Sequence, residues 1–317
     1  MARYIVKRVL QGVFVLWAAY TLSFFILYSL PGNAATIAAA ASGGLGAPPA
    51  ALVHKLAVEY GFDKPLSVQY VDDLWKALRL NFGNSVQTGQ SATSAVAQVL
   101  PHTIALAVLS LVVAVLGGLG LAIASTFPRA RWLRQLIGAL PSLGVSIPSF
   151  WLGLLLLQAF SFDIHWFPAL GDDGISSLVL PTVALAIPTG GYIAQLLSRS
   201  LRITLEQPYI DQARAKGASE TRVHFGHALR NAVIPSLTMV GVLIGNLLAG
   251  TVVTETVFSR TGIGRLIVQA VNARDLPEVQ VVVIFAALVF VVSSLVVDLI
   301  YPLIDRRISL TGTAVTA

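Results

Sequence analysis

The sequence predicts an all-α membrane protein with six transmembrane helices, because its composition is apolar and its apolar residues form long runs. Of the 317 residues, 56% are hydrophobic and 11% are charged, and the mean hydropathy is +0.78. Soluble domains carry about a quarter charged residues, so this chain has too little polar surface to stay dissolved. The chain contains no cysteine, which excludes disulfides, zinc ribbons and iron–sulfur clusters.

Six apolar stretches are long enough to cross a bilayer, since a spanning helix needs about 20 apolar residues and must satisfy its backbone hydrogen bonds internally. The first stretch exceeds the ~7–15 apolar residues of a secretory signal core. We therefore predict an uncleaved span there. The six predicted spans are Val9–Leu30, Thr103–Phe127, Gln135–Phe160, Leu178–Leu197, Ser236–Thr256 and Val279–Ile304.

Basic residues fall mainly on one side of this topology. Lys and Arg collect in cytoplasmic loops, so that side and both termini are predicted to be cytoplasmic, in a bacterial inner membrane. Most carboxylates lie on the other side. Topology therefore explains the net charge of +6, and a nucleic-acid surface is not predicted. The cytoplasmic set holds 14 of the 21 basic residues: Arg3, Lys7, Arg8, Arg129, Arg131, Arg134, Arg199, Arg202, Arg214, Lys216, Arg222, Arg230, Arg306 and Arg307.

The polar segment between the first two spans is predicted to be extracytoplasmic. Leu52, Leu56 and Tyr60, and then Tyr70, Leu74 and Leu78, recur at helical intervals, so two short amphipathic helices are predicted on either side of Asp63–Pro65. They could form a lid on the span ends or a docking surface for an external partner. The predicted organisation is 1–30 (cytoplasmic end and first helix), 31–100 (extracytoplasmic segment), 101–305 (five-helix core with a loop at 200–235) and 306–317 (cytoplasmic tail).

The loop between spans four and five has the signals of a helical elbow. Pro208 suits a first helical turn, and Gly217 can supply the left-handed residue that ends the helix. Ser219 can cap a second helix, which is predicted to end before Pro235. Such an elbow can enter a groove on another protein and transmit movement as a rigid body.

Glycine and proline residues inside the spans indicate kinks and close helix approaches. Gly190–Gly191 is one such pair, and Gly241 and Gly245 are interpreted as ordinary packing positions. Kinked helices that rearrange around a central cavity are the functional alternative. The prolines that belong to this pattern are Pro141, Pro148, Pro181 and Pro188.

The elbow sequence resembles the cytoplasmic coupling loop of ATP-binding-cassette (ABC) importer permeases, in the dipeptide/oligopeptide/nickel group. The resemblance rests on Tyr209–Gly217 and His227–Pro235. The general loop begins Glu-Ala-Ala with a glycine four residues later, and only Ala213 and Gly217 match that pattern strictly. One departure is Arg260–Thr261, where the family commonly has a proline. Similar motifs extend over most of the chain, at Asp63–Leu66, Leu80–Ser85, Leu100–Thr103, Ser146–Gly153, Trp166–Gly171, Glu255–Ser259 and Asp305–Ile308.

The resemblance implies a type I ABC importer permease bundle with a cytoplasmic coupling helix. It implies import of di-/oligopeptides or a related small solute, with nickel chelates and glutathione as alternatives. The implied partners are a second homologous permease, two ATP-binding subunits that hold ATP and magnesium, and an extracytoplasmic solute-binding protein; no cofactor is expected in this chain. The residues expected to couple to the ATPase are Tyr209, Asp211, Ala213, Arg214, Ala215, Lys216, Gly217 and Ala218.

No sequence pattern in the chain predicts catalysis or a metal site. The phosphate loop G-x-x-x-x-G-K-[ST], H-E-x-x-H and G-x-S-x-G are all absent from the sequence. His224 and His227 are interpreted as a surface pair that contacts a partner. Glu255 and Asp298 are candidates for pathway or structural roles. A secondary transporter would need further buried ionisable groups, and an intramembrane enzyme would need a nucleophile and base, so both are weaker hypotheses.

Overall fold

The computed structural model describes residues 2–28, 49–59, 63–128 and 130–304, together with residues 36 and 39, and these residues are almost entirely helical. Two π-helical segments, Leu157–Asp163 and Arg222–Ala228, interrupt the α-helical pattern. The α-helices are α1 Ala2–Tyr28, α2 Ala50–Glu59, α3 Leu66–Ala77, α4 Ala92–Thr126, α5 Arg131–Ser146, α6 Ser149–Leu156, α7 Ser176–Leu205, α8 Pro208–Ala215, α9 Leu229–Val257, α10 Ile263–Asn272 and α11 Leu276–Ile304.

The all-helical membrane fold is confirmed, whereas the count of six spans stays a prediction. In the described part of the chain, four helices are long and apolar enough to cross a membrane: Val6–Ile26, Ala92–Thr126, Ser176–Leu205 and Met239–Val257. A bent pair, Arg131–Ser146 with Ser149–Asp163, adds a fifth if it counts as one span. Helix α11 coincides with the last predicted span, but the apolar part of it whose side chains the structure describes is the shorter Leu276–Val292.

The third predicted span is not one straight helix, and it bends sharply just before Pro148, one of the prolines predicted to kink it. Helices α5 and α6 meet at an angle of 101°. Ile147 between them is extended, with φ −91° and ψ 121°, and Pro148 follows at φ −59°. A proline disfavours helical backbone in the residue before it and donates no hydrogen bond, so the helix ends at Ser146 and restarts after the bend.

The described residues divide into two compact units, and the second comprises residues 104–128, 130–260 and 292–304. In this unit α7 packs against α5, α6 and α9. The predicted close approach at Gly190–Gly191 is confirmed. A Cβ atom added at Gly191 would lie 2.8 Å from the backbone oxygen of Pro141 on α5, and one at Gly190 would lie 3.0 Å from that of Ala114 on α4. The glycine pair therefore lets α7 contact two neighbours backbone to backbone.

Helix α4 supplies a matched pair of glycines that tests this packing. A Cβ at Gly118 would lie 2.7 Å from the backbone oxygen of Gly190, whereas one at Gly117 meets nothing within 4 Å. We expect Gly118→Ala to lower the free energy of unfolding by about 1–3 kcal/mol, because the two backbones must separate. Gly117→Ala should be neutral or stabilising by up to about 1 kcal/mol, from helix propensity. Unfolding of both full-length variants in detergent measures the difference, and equal stabilities would contradict the packing.

The first unit comprises the described residues within 1–103, together with residues 261–291. Two short helices are predicted on either side of Asp63–Pro65, and α2 and α3 occupy those positions. Tyr60, which belongs to the predicted pattern, lies outside the described residues. Tyr70 of α3 contacts α1, since its hydroxyl is 2.8 Å from Thr21 Oγ1 and its ring stacks on Phe25. Whether this segment is a lid or a docking surface stays a prediction.

Two carboxylates fix loops within this first unit. Lys64 Nζ lies 2.9 Å from Asp72, and this hydrogen bond with its charge interaction raises the pKa of Lys64 and lowers the pKa of Asp72. Asp275 is buried and accepts a hydrogen bond from the Ser85 hydroxyl at 2.6 Å. Asp275 also accepts one at 3.3 Å from the backbone N–H of Glu278, in the first turn of α11. The loop around Ser85 is thereby attached to the start of α11.

Candidate functional site

Helix α8 forms the predicted first half of the elbow, with the predicted ends. Pro208 occupies its first turn after an extended Gln207. At its other end, Gly217 adopts φ +83°. The N–H of Gly217 donates to Arg214 O at 2.9 Å, and that of Ala218 donates to Ala213 O at 3.1 Å. These two bonds form a Schellman motif, which needs a residue with positive φ at the glycine position.

Ile210 anchors α8 to the rest of the second unit. Its side chain is fully buried. Tyr209 also connects α8 to α9, because its hydroxyl accepts a hydrogen bond of 3.0 Å from Asn231 Nδ2. The elbow is therefore attached to both membrane helices that flank it. The buried cluster around Ile210 consists of Ala122, Leu197, Leu201, Val223, Ala228 and Ala232.

The remaining residues of α8 and its C-terminal turn present a polar surface. Arg214 contacts Asp211 at 3.2 Å and Glu220 at 3.3 Å. These ion pairs are exposed, so each contributes less than about 1 kcal/mol and mainly orients the guanidinium. Ala213 and Ala218 are half-buried. Tyr209, Asp211, Arg214, Ala215, Lys216 and Gly217 are exposed and available to a partner.

The second half of the elbow differs from the prediction. The Ser219 hydroxyl accepts from the N–H of Arg222 at 3.4 Å, as expected of a cap. The helix that follows does not end before Pro235, because a π-helical segment runs directly into α9, which continues through Pro235 to Val257. Pro235 removes one backbone donor, and a long helix inside a bundle tolerates that loss.

The histidine interpretation is wrong for His224. Its ring is buried and packs edge-on against Phe127, with 5.0 Å between centroids, and its Nδ1 lies 3.1 Å from Glu220 O. His227 is half-buried. Burial of His224 depends on Phe127, which is almost a hundred residues away in the sequence. Across the described residues, no group of three or more His, Asp or Glu side chains could hold a metal ion.

Of the two acidic residues predicted to have pathway or structural roles, the structure describes the side chain of Glu255 but not that of Asp298. Glu255 lies near the end of α9 with 1% of its surface exposed, and its backbone oxygen accepts a 2.8 Å hydrogen bond from the N–H of Arg260. The side chain of Asp298 lies outside the described residues. The structure therefore shows Glu255 as a buried residue.

Arg260, which departs from the family pattern, organises the loop that follows α9. It is 4% exposed, and its Nη2 lies 3.0 Å from Asp172 Oδ1. Its Nη1 donates to the backbone oxygens of Gly171 and Ser177 at 3.1 and 3.0 Å, and to Ser177 Oγ at 2.8 Å. Sequence reasoning missed this role. The sequence does contain the oppositely charged partner, Asp172, but it lies 88 positions before Arg260, and nothing local connects the two residues.

Comparison with known families decides the identity of this fold and site. Residues 114–310 match the family described as binding-protein-dependent transport system inner membrane component. Residues 1–107 match the family for the N-terminal part of such membrane components. The chain belongs to the binding-protein-dependent transport permeases. The first match includes the whole elbow and α9, so the elbow of this permease lies inside the family region.

Individual relatives agree with the family. A Brucella suis protein named as a peptide transport system permease is 37% identical over 316 residues, covering 97% of this chain and 99% of its own length. A Salmonella typhimurium glutathione transport system permease is 36% identical over 308 residues, with the same coverage of 97% and 99%. This permease is thus similar to both along nearly its whole length.

Solved structures show the same fold at low sequence identity. The methionine ABC transporter in an inward-facing conformation has a chain that matches with a TM-score of 0.55 and 16% identity, covering 64% of this permease and 93% of that chain. An amino acid ABC transporter matches with a TM-score of 0.50 and 19% identity, covering 68% and 95%. These likenesses establish the ABC importer permease fold.

This permease is a transport subunit of an ABC importer and a multi-pass inner membrane protein. Permeases of this class are transport components whose ATPase lies on a separate subunit. They work together with ATPase and binding-protein partners.

Proposed function

We propose that this permease moves di-/oligopeptides, or a related small solute, from an extracytoplasmic binding protein into the cytoplasm. Relatives named for peptide and glutathione transport support this substrate class. A nickel or other metal chelate stays an alternative solute, because the family that the sequence resembles includes nickel permeases. The assembly we propose contains this permease, a second homologous permease and two ATP-binding subunits, which hold ATP and magnesium.

The orientation we propose places both termini and the elbow in the cytoplasm of a bacterial cell. The basic-residue asymmetry of the sequence supports it. Residues 31–100 then face the extracytoplasmic side, residues 101–305 form the permease core, and residues 306–317 form a cytoplasmic tail.

One observation carries the mechanism: α8 is exposed on one face and anchored by Ile210 on the other. When the two ATP-binding subunits bind ATP, they close and push the exposed face of α8. Because Ile210 and Tyr209 attach α8 to α7 and α9, the push moves these helices as one body and changes which side of the pathway is open. Glu255 and Asp298 stay candidates for structural or pathway roles.

Gly217 allows a test of the elbow that changes only the backbone. A Cβ at Gly217 meets nothing within 4 Å, so a substitution there is strained by its φ of +83° and not by a clash. Valine is poorly suited to positive φ, whereas asparagine tolerates it. We expect Gly217→Val to lower the solute transported per ATP hydrolysed several-fold, measured in proteoliposomes that contain the complete importer and its binding protein.

The matched control is Gly217→Asn, which should transport at close to the native rate and insert in the membrane at the same level as Gly217→Val. Radiolabelled dipeptide and glutathione are assayed side by side to identify the solute class. Native coupling in Gly217→Val would contradict the role of the elbow. Uptake by this chain under an ion gradient without ATPase subunits would contradict the ATP-driven mechanism.

A further inference from the structure

A cleft of about 1310 Å³ lies beside α8 in the second unit, and its lining is net positive. Four arginines and two glutamates line it. One arginine is neutralised, because Arg214 contacts Asp211 and Glu220 at 3.2 and 3.3 Å. The ionised side chains of the lining are Arg131, Arg134, Arg202, Arg214, Glu206 and Glu220.

The other three arginines converge on the cleft from two helices. Arg131 and Arg134 belong to the start of α5, and Arg202 belongs to the end of α7. Arg202 reaches across to α5, where its Nη2 would lie 3.4 Å from a Cβ added at Gly138. None of the three forms an ion pair within 4 Å with another described residue. Several guanidinium groups around one cleft favour an anion there, and the arginine fork matches the oxygens of phosphate and of carboxylate groups.

His224 gives a second, independent observation. It lines the same cleft and is more than nine-tenths buried, and its Nε2 has no hydrogen-bond partner among the described residues. Nδ1 lies 3.1 Å from the carbonyl oxygen of Glu220, which can only accept, so Nδ1 donates to it. Nε2 is the ring atom left for a ligand, and a hydroxyl group suits it because a hydroxyl both donates and accepts. The cleft therefore combines groups that suit a phosphate with one that suits an adjacent hydroxyl.

The exposed face of α5 favours a lipid over a soluble phosphate as the ligand of this cleft. Trp132, Leu136, Leu140 and Leu143 are exposed and recur at helical intervals on the helix that carries Arg131. Basic residues beside an exposed stripe of tryptophan and leucine are typical of a helix at a membrane surface. A free phosphate would make no use of this stripe, whereas the acyl chains of a lipid would cover it.

We propose that the cleft binds the glycerophosphate head group of an anionic phospholipid in the cytoplasmic leaflet. The choice of leaflet rests on the orientation proposed above. The phosphate lies among Arg131, Arg134 and Arg202, the head-group hydroxyl faces His224, and the acyl chains run along the exposed face of α5. Basic pockets between helices on the cytoplasmic side are a recurrent form of lipid recognition.

Lipid retention by the full-length chain tests this site. The chain is reconstituted in nanodiscs with equal amounts of phosphatidylglycerol and phosphatidylcholine, transferred to detergent, and analysed by native mass spectrometry for bound lipid. The native chain should retain phosphatidylglycerol in preference to phosphatidylcholine. Arg131→Gln/Arg134→Gln/Arg202→Gln should lower that retention roughly tenfold or more, because each basic group near an anionic head group adds to its binding.

The matched control is Arg199→Gln/Arg222→Gln/Arg230→Gln, which removes the same charge from exposed arginines outside the cleft. It should retain phosphatidylglycerol like the native chain; an equal loss would show non-specific attraction and overturn the proposal. Displacement of the lipid by inorganic phosphate would assign the cleft to a soluble ligand instead. Loss of the lipid in the assembled importer would assign it to the ATPase interface. The measurement needs neither solute nor ATP, so its failure would leave the transport proposal unaffected.

Discussion

Arg260→Met should lower the free energy of unfolding of the full-length chain by about 3 kcal/mol. The substitution keeps much of the volume but removes the donor for the backbone oxygens of Gly171 and Ser177. It also leaves Asp172 without the guanidinium 3.0 Å away. Breaking a buried pair costs about 3–5 kcal/mol, and the lower end applies here because the Asp172 side chain keeps 25% exposure to solvent. Denaturant unfolding in detergent measures the loss.

The control for this prediction is Arg230→Met, an exposed arginine of the same unit, which should stay within about 0.5 kcal/mol of the native chain. Arg260→Met/Asp172→Asn should regain part of the loss, since it removes the carboxylate charge that Arg260 no longer balances. Full recovery is not expected, because the two carbonyl oxygens still lack their donor. Equal stabilities of Arg260→Met and Arg230→Met would show that the buried contacts of Arg260 do not stabilise the loop.

The helices could be predicted from the sequence because their signals are local. Each predicted span coincides with a helix of the structure, apart from the bend before Pro148. That proline marked a break, but the 101° angle depends on how α5 and α6 pack on α7, which no local pattern encodes. Pro235 shows the opposite case, since tertiary packing keeps the helix intact across it.

In the candidate site, too, the local features could be predicted from the sequence and the long-range contacts could not. Pro208 and Gly217 lie within one short segment, so the sequence predicted where α8 begins and ends. The burial of Ile210 and His224 could not be predicted, because the side chains that cover them come from other helices. The contact of Arg260 with Asp172 crosses 88 positions, and a single sequence gives no indication of such a pair.

Ile210→Ala should have the largest effect on transport of any conservative substitution in the elbow. Ile210 is fully buried, and its truncation to alanine costs about 2–5 kcal/mol because it leaves a cavity among the side chains of α7 and α9. Helix α8 is only eight residues long and cannot stay fixed without this anchor. We expect at least roughly a tenfold fall in solute transported per ATP hydrolysed, measured with the complete importer in proteoliposomes.

Ile203→Ala is the matched control, since the same atoms are removed from a side chain of α7 that is 54% exposed. It should transport normally. Tyr209→Phe removes the hydroxyl that binds Asn231, and its effect should be smaller than that of Ile210→Ala because this hydrogen bond is exposed. If Ile210→Ala hydrolyses ATP but does not transport, the ATPase still reaches α8 and the push is lost between α8 and the membrane helices. Normal transport per ATP in Ile210→Ala would show instead that the force enters this permease by another contact.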